Sequence, residues 1–449
     1  MKNILLALLI LLNTLGFSQT KIYEVPKAKD AVWITRPNGN IVFYIKKAEN
    51  VIEISPKGKI ISEYKYDHII SKMMYRSPSF VSSPDSKHLY VVNPLFDVEF
   101  DYILSKLENG KSKEVLTTAS DKTVIGDIVD IFCDDENLYI LSTEKVNKFK
   151  VFSLFSINHK SHLVTELSKE FHTNELRFTG TNYGNEPGGR YVGQNKNSIF
   201  INLTNPSAND EYFSFSIIEI NKSNGTTSNH SIDLKADDNK KLGPIHFKHH
   251  KSTAQNNLKI QSSFFTTTSG SGYSYSYLLP SEIGQISISN DTINIIGILA
   301  EVDDKRQNLT LKNFYSINYS VKSKNQTTSI SKLNNFKVEI ALAANLSSPN
   351  KCFSIERTDS RIYFERESHG GLSGKTYTTT ILEGELTDNK LSKIKFTETK
   401  GKTGNPKRFK EIGVDPSKFD ISKLDMGTEV YPTVFSTMDK KTFTLYSIK

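Results

Sequence analysis

Pro78-Ser-Phe80-Val-Ser-Ser-Pro-Asp85-Ser-Lys-His-Leu89-Tyr90-Val-Val92 sets an apolar run, a polar turn built on Asp85 and a second apolar run end to end. An apolar strand, a short Asp-containing turn and a returning strand are the signature of a hairpin. The polar turn followed by an aliphatic–aromatic pair recurs at Asp134-Asp-Glu-Asn-Leu138-Tyr139, Asn195-Lys-Asn-Ser-Ile199-Phe200 and Asp359-Ser-Arg-Ile362-Tyr363. Pro78–Leu89 also aligns without gaps to Pro432–Phe443. The first apolar residue of each returning run falls at Ile41, Leu89, Leu138, Ile199, Ile293, Ile362 and Phe443. The early intervals are close to the ~40–45 residues of a tight four-stranded blade, and the later ones carry insertions.

After the hairpin a further pattern repeats. Phe152–Asn158, Phe215–Asn221 and Phe314–Asn318 each read as a third strand entering a polar turn. Leu163–Leu167, Ser231–Leu234 and Thr327–Leu333 are short enough to be fourth, outer strands. Four strands per repeat predict an all-β chain, a β-propeller of about seven four-stranded blades. The expected domain is one unit over residues 19–449. An insertion or extra hairpin is expected at about 235–285, where Leu258–Thr268 faces Tyr273–Leu279. The last unit lacks outer strands, and Lys21–Val25 is an unassigned strand that would complete it, closing the ring with N- and C-terminal strands and removing exposed edges. A pair of β-sandwiches would explain the strands but not their recurrence.

The run Ser83-Pro-Asp85-Ser-Lys87-His-Leu89-Tyr90 resembles the Ser-Pro-Asp-Gly-Lys unit of TolB-like and WD40-like propellers, with Ser86 in place of the usual glycine. The resemblance covers one clear repeat unit and implies the propeller superfamily without a closer family. The chain's single tryptophan, Trp33, leaves no Trp-Asp ending, and Gly370-Gly371 is kelch-like in one copy only.

Residues 1–18 read as a secretory leader: Lys2, then the apolar run Ile4–Leu15, then Gly16-Phe17-Ser18 with small residues at the cleavage positions. The apolar run is shorter than the ~20 residues a membrane span needs. No cysteine follows the cut before Gln19, so a lipid anchor is not expected, and no transmembrane segment is expected after cleavage. A periplasmic or secreted location follows. Twenty Tyr and twenty-six Phe favour half-buried pleated surfaces. The formal net charge of +8, lowered by one when Lys2 leaves with the leader, suits an anionic surface or polymer and equally plain solubility. Cys133 and Cys352 either pair in that oxidising compartment or stay as buried thiols; in a ring their units would stand far apart for a bridge.

Candidate binding groups are few. Tyr273, Tyr275 and Tyr277 alternate with serines, which places them on one face of a strand, either a stacking platform for sugars or peptides or a core face. From Lys390 to Lys410 eight basic residues meet one acid, Glu398; Lys402, Lys407 and Arg408 in that run would hold acidic glycans or lipid phosphates, or form a solvated surface. Aromatic residues are scarce there, which disfavours nucleic acid. His246, His249 and His250 lack a readable Cys or carboxylate partner and have Lys248 and Lys251 beside them, so no metal site is expected. His159 and His162 are weaker still. Gly370–Thr376 resembles a phosphate loop but has His369 where the first glycine belongs.

No catalytic triad motif, nucleophile elbow, paired-carboxylate signature or calcium loop is present, and no cofactor is implied. The expected function is non-catalytic binding of an unknown envelope or extracellular protein, peptide or glycan. An extracytoplasmic hydrolase or lyase on a glycan or envelope polymer is the alternative, because propeller sites are assembled from separate blades. A structural envelope component on anionic lipid is a third.

Overall fold

The computed structural model describes residues 19–28, 31–45, 50–65, 79–94, 102–117, 127–146, 149–173, 190–202, 214–234, 265–269, 272–276, 284–302, 308–339, 354–358, 361–370, 376–387, 390–401, 414–415, 417–419, 424–425, 433–439 and 441–448. Their regular structure is all β, and no helix among them is long and apolar enough to cross a membrane.

Strand β1 (Thr20–Val25) is followed by the meander β2 (Ala31–Thr35), β3 (Ile41–Ile45), β4 (Asn50–Ile54) and β5 (Ile60–Lys65). The next is β6 (Ser79–Ser82), β7 (Leu89–Pro94), β8 (Tyr102–Glu108) and β9 (Lys111–Thr117). Then come β10 (Asp127–Cys133), β11 (Asn137–Val146), β12 (Phe149–Asn158) and β13 (Val164–Thr173), and β14 (Arg190–Gln194), β15 (Ser198–Asn202), β16 (Ser214–Asn221) and β17 (Thr227–Asp233). A two-stranded ribbon, β18 (Phe265–Ser269) and β19 (Gly272–Ser276), forms a sheet of its own. The chain continues through β20 (Gly284–Ser289), β21 (Thr292–Val302), β22 (Asn308–Ser320) and β23 (Gln326–Glu339). The last stretch holds β24 (Ser354–Thr358), β25 (Arg361–Gly370), β26 (Thr376–Thr387) and β27 (Lys390–Gly401), then β28 (Leu424–Asp425), β29 (Val434–Asp439) and β30 (Thr442–Ser447).

Sequence neighbours pair antiparallel in six four-stranded meanders among the described residues, and a seventh four-stranded sheet joins β1 to β28–β30. Such a meander is the blade from which a propeller is built. The first two join edge to edge through one parallel pair, Lys65 with Lys111, into an eight-stranded sheet. In the sheet β1-β30-β29-β28 the N-terminal strand takes the outer place, Val25 opposite Phe443 and Thr20 opposite Ser447. Six of the seven repeat markers open the second strand of a meander. Phe443 does not: it lies in β30, the third strand, because the two-residue β28 holds the first place. The alignment of Pro432–Phe443 to Pro78–Leu89 is therefore displaced by one strand. Two residues of β28 are too short a run to leave a pattern in the sequence.

Two compact units result, one from residues 1–119, 133–135 and 403–449, the other from 120–132 and 136–402. In the first, alternation along β3 splits its side chains between two cores. Ile41, Phe43 and Ile45 pack with Val434, Phe443 and Leu445, while Val42 and Tyr44 pack with Leu89 and Val91. The second repeats this arrangement. Tyr139, Leu141, Phe152 and Leu154 meet Ile199, Ile201 and Ile220, and Phe200, Phe215 and Ile217 meet Ile293, Ile295, Tyr315 and Ile317. Aromatic and branched side chains on both faces of a strand are what a sheet buried between two others requires.

The turns repeat as closely as the strands. Between third and fourth strands, His162, Gly225 and Lys324 donate their backbone N–H to Asn158, Asn221 and Ser320 four residues back, and all three have positive φ. In the same turns His159, Lys222 and Val321 donate to the carbonyls of Glu136, Asn197 and Asp291 in the first hairpin turn of their own sheet. His162 is thus a turn residue and His159 a buried one. Ser86, at the place of the motif's glycine, sits at φ +57, the backbone conformation for which glycine is the usual choice.

Candidate functional site

Polar side chains enter the seams between meanders at defined places. Arg36, in the turn from β2 to β3, has its guanidinium almost fully buried. It donates Nη1–H to Glu53 Oε1 at 2.7 Å, Nε–H to Ser82 Oγ at 3.1 Å and Nη2–H to the Ser86 carbonyl. Glu53 also accepts from Asn40 Nδ2 at 2.8 Å and from Tyr64 Oη at 3.2 Å. Burial, with the Glu53 charge beside it, raises the Tyr64 pKa, so the phenol stays a donor. One ion pair thereby ties β2–β5 to the β6–β7 turn, with each buried charge surrounded by partners.

A second cluster lies between β14–β17 and β20–β23. Glu219 on β16 accepts from Ser198 Oγ at 2.7 Å and faces His230 Nε2 at 3.0 Å. His230 Nδ1 is 3.3 Å from Tyr319 Oη on β22. His230 is 3% exposed and Tyr319 6%. Burial and the Glu219 charge raise the Tyr319 pKa. Serine, carboxylate, imidazole and phenol are the groups of acid–base catalysis, yet here Ser198 bonds the carboxylate rather than the imidazole, and the ring is enclosed. The arrangement clamps two sheets; it does not present a nucleophile.

The repeat turns are linked to one another by the same Asp and Asn residues that mark them in the sequence. Asn38 N–H donates to Ser86 Oγ at 3.1 Å, Asp85 N–H to Asp135 Oδ1 at 2.9 Å, and Asn195 Nδ2–H to Asp291 Oδ1 at 3.0 Å. Asp85 is held well below the usual carboxylate range by Lys87 Nζ at 2.8 Å, by the Ser83 hydroxyl and by the Lys87 N–H. Cys133 is buried, and burial together with Asp134, Asp135 and Asp85 pushes its thiol up to about 12. Its sequence counterpart Cys352 lies outside the described residues.

Of the binding groups expected from the sequence, Tyr273 and Tyr275 lie on β19, opposite Thr268 and Thr266 of β18. Tyr277, Lys402, Lys407 and Arg408 lie outside the described residues, as do His246, His249, His250 and the leader. The basic run begins on β27, the outer strand of its sheet, where Lys390, Lys393 and Lys395 are exposed and Lys393 Nζ meets Glu385 Oε2 at 2.8 Å. Among the described residues no group of three His, Cys, Asp or Glu is placed to hold a metal ion. Sequence reasoning missed the Arg36 and His230 clusters, since their partners are turns or strands of other repeats.

No family model matches the chain, and no curated protein matches it. Solved structures similar to it include the WD40 domain of SCAP from fission yeast, at 8% identity over 96% of this chain and 98% of that one, TM-score 0.35. Polysaccharide lyase Uly1 is similar at 9% identity over 97% and 90%, TM-score 0.42. The α-L-arabinofuranosidase Arb93A from Fusarium graminearum is similar at 7% identity over 83% and 92%, TM-score 0.34. At such scores the all-β, propeller-like assignment rests on the chain's own strand order.

Proposed function

We propose that the protein is a non-catalytic binding module that works outside the cytoplasm, a propeller-like scaffold presenting its surface to a protein, peptide or glycan. The observation that carries this reading is the commitment of two clusters of ionisable groups among the described residues. Glu53 and Arg36 satisfy each other, the half-buried Glu219 is taken up by Ser198 and His230, and the buried His230 by Glu219 and Tyr319. An acid or base must reach its substrate, and these groups face other sheets. Export supports the setting: residues 1–18 have the layout of a cleavable leader.

The test is a glycan and peptide array probed with the mature chain, followed by incubation of each captured ligand with the protein. The expected result is saturable binding with no new reducing ends and no unsaturated sugar product. Release of either product would replace this reading with a hydrolase or lyase. Mass analysis of the exported protein is expected to find Gln19 at its start.

A further inference from the structure

We infer that the outer edge formed by β23 and β27 is a docking surface for an acidic polysaccharide, an inference that rests on the binding reading above and names its ligand class. The two outer strands meet where Leu391 N–H donates to Ser331 Oγ at 3.0 Å. Lys332 follows one partner and Lys390 precedes the other, and both are exposed. Lys393 and Lys395 continue the row; across the ladder Lys393 Nζ engages Glu385, and Lys395 stands opposite Glu383.

The row exists because the strand is bent to make it. Leu391 is buried, so strict alternation would turn Lys393 and Lys395 inward with it. Instead the ladder between β26 and β27 slips between Glu383 and Glu385, and Lys393 takes φ +48 at the slip. The extra residue aims Lys390, Ser392, Lys393 and Lys395 to solvent and leaves Leu391 and Ile394 turned in. On β23 the ladder slips again beside Lys332, where Asn334 and Asn335 are exposed at φ +52 and +55. Three non-glycine residues in the left-handed region next to one junction mark a shaped surface.

Its chemistry selects the occupant. Lysines separated by exposed Ser392, Asn334 and Asn335 suit a polymer that alternates anionic groups with hydroxyls. The bulges interrupt the ladder that an added peptide strand would need. Among the described residues the exposed large apolar side chains, Ile60, Ile61 and Leu163, are on neither strand, which disfavours a lipid surface as the occupant.

The mature chain is to be titrated with polygalacturonate, with neutral dextran and with phosphatidylglycerol vesicles. The variant Lys332→Glu/Lys390→Glu/Lys395→Glu keeps the edge charged, and Lys57→Glu/Lys59→Glu/Lys111→Glu makes the same charge change elsewhere. Expected are salt-sensitive binding of polygalacturonate alone, about tenfold weaker in the first variant and unchanged in the second. Equal loss in both variants, no loss in the first, or vesicle binding as strong as polygalacturonate would overturn the inference. If polygalacturonate fails while another ligand on the array binds without turnover, this inference falls and the binding reading stands. Turnover of a captured ligand would remove the binding reading by itself.

Discussion

Glu53 and Glu219 occupy the same slot in two different sheets. Each directly precedes the isoleucine, Ile54 or Ile220, that faces the repeat marker, Ile41 or Ile199, across the second and third strands. Each is the third-strand residue opposite the second member of the marker pair, Val42 or Phe200. The slot is polar in three further meanders, as Lys106, Ser156 and Asn318. A polar residue here enters the seam with the next sheet, where it is stable only when given partners. Arg36 with Tyr64, and Ser198 with His230, are two different solutions.

Replacing Arg36 by Met leaves Glu53 buried with only Asn40 and Tyr64. Loss of one member of a buried pair costs about 3–5 kcal/mol, and denaturant unfolding is expected to show a drop of that order. Arg36→Met/Glu53→Leu is expected to recover part of it, and Arg36→Lys to fall between, since an ammonium cannot reach Glu53, Ser82 and the Ser86 carbonyl together.

Much of this architecture is legible in the sequence and the seams are not. Leu89, Leu138 and Ile199 announce their strands because a polar turn and an aliphatic–aromatic pair are local signals. Glu53 and Glu219 look like solvent-facing residues of alternating strands, and nothing near them in the chain reveals Arg36 or His230 as their partners. The lysines of β27 were visible as a charge run, but their common outward aim depends on a bulge that no residue type announces.

Asp85 gives the fold an acid limb. Its carboxyl is held below the unfolded value of about 3.9 by Lys87 and Ser83, so its contribution is complete above that pH and is lost as pH falls towards the folded value. Thermal unfolding followed from pH 6 downward is expected to weaken below about pH 4. Asp85→Asn is expected to flatten that part of the profile; an unchanged slope would show that the turn does not depend on the charge.

Cys133 is expected to resist thiol reagents. With its pKa pushed up to about 12, the thiolate is on the order of one part in ten thousand at pH 8, and the sulfur is buried besides. In a Cys352→Ser background, dithionitrobenzoate is expected to react only on addition of denaturant. Prompt reaction of the native protein would mean that the site opens.

Gly225 tests the packing of a repeat turn. It has φ +70, and a Cβ there would lie 1.6 Å from the Leu167 carbonyl oxygen of β13. Both strain and collision fall on backbone, so Gly225→Ala is expected to cost at least about 2 kcal/mol. A variant of unchanged stability would contradict the close approach of this turn to the preceding sheet.

The pairing of β1 with β30 assembles one four-stranded sheet from segments far apart in the chain. Amide hydrogen exchange over Thr20–Val25 and Thr442–Ser447 reads it directly. Both segments are expected to be protected alike and to exchange together. Rapid exchange of Thr20–Val25 beside a protected Thr442–Ser447 would contradict it.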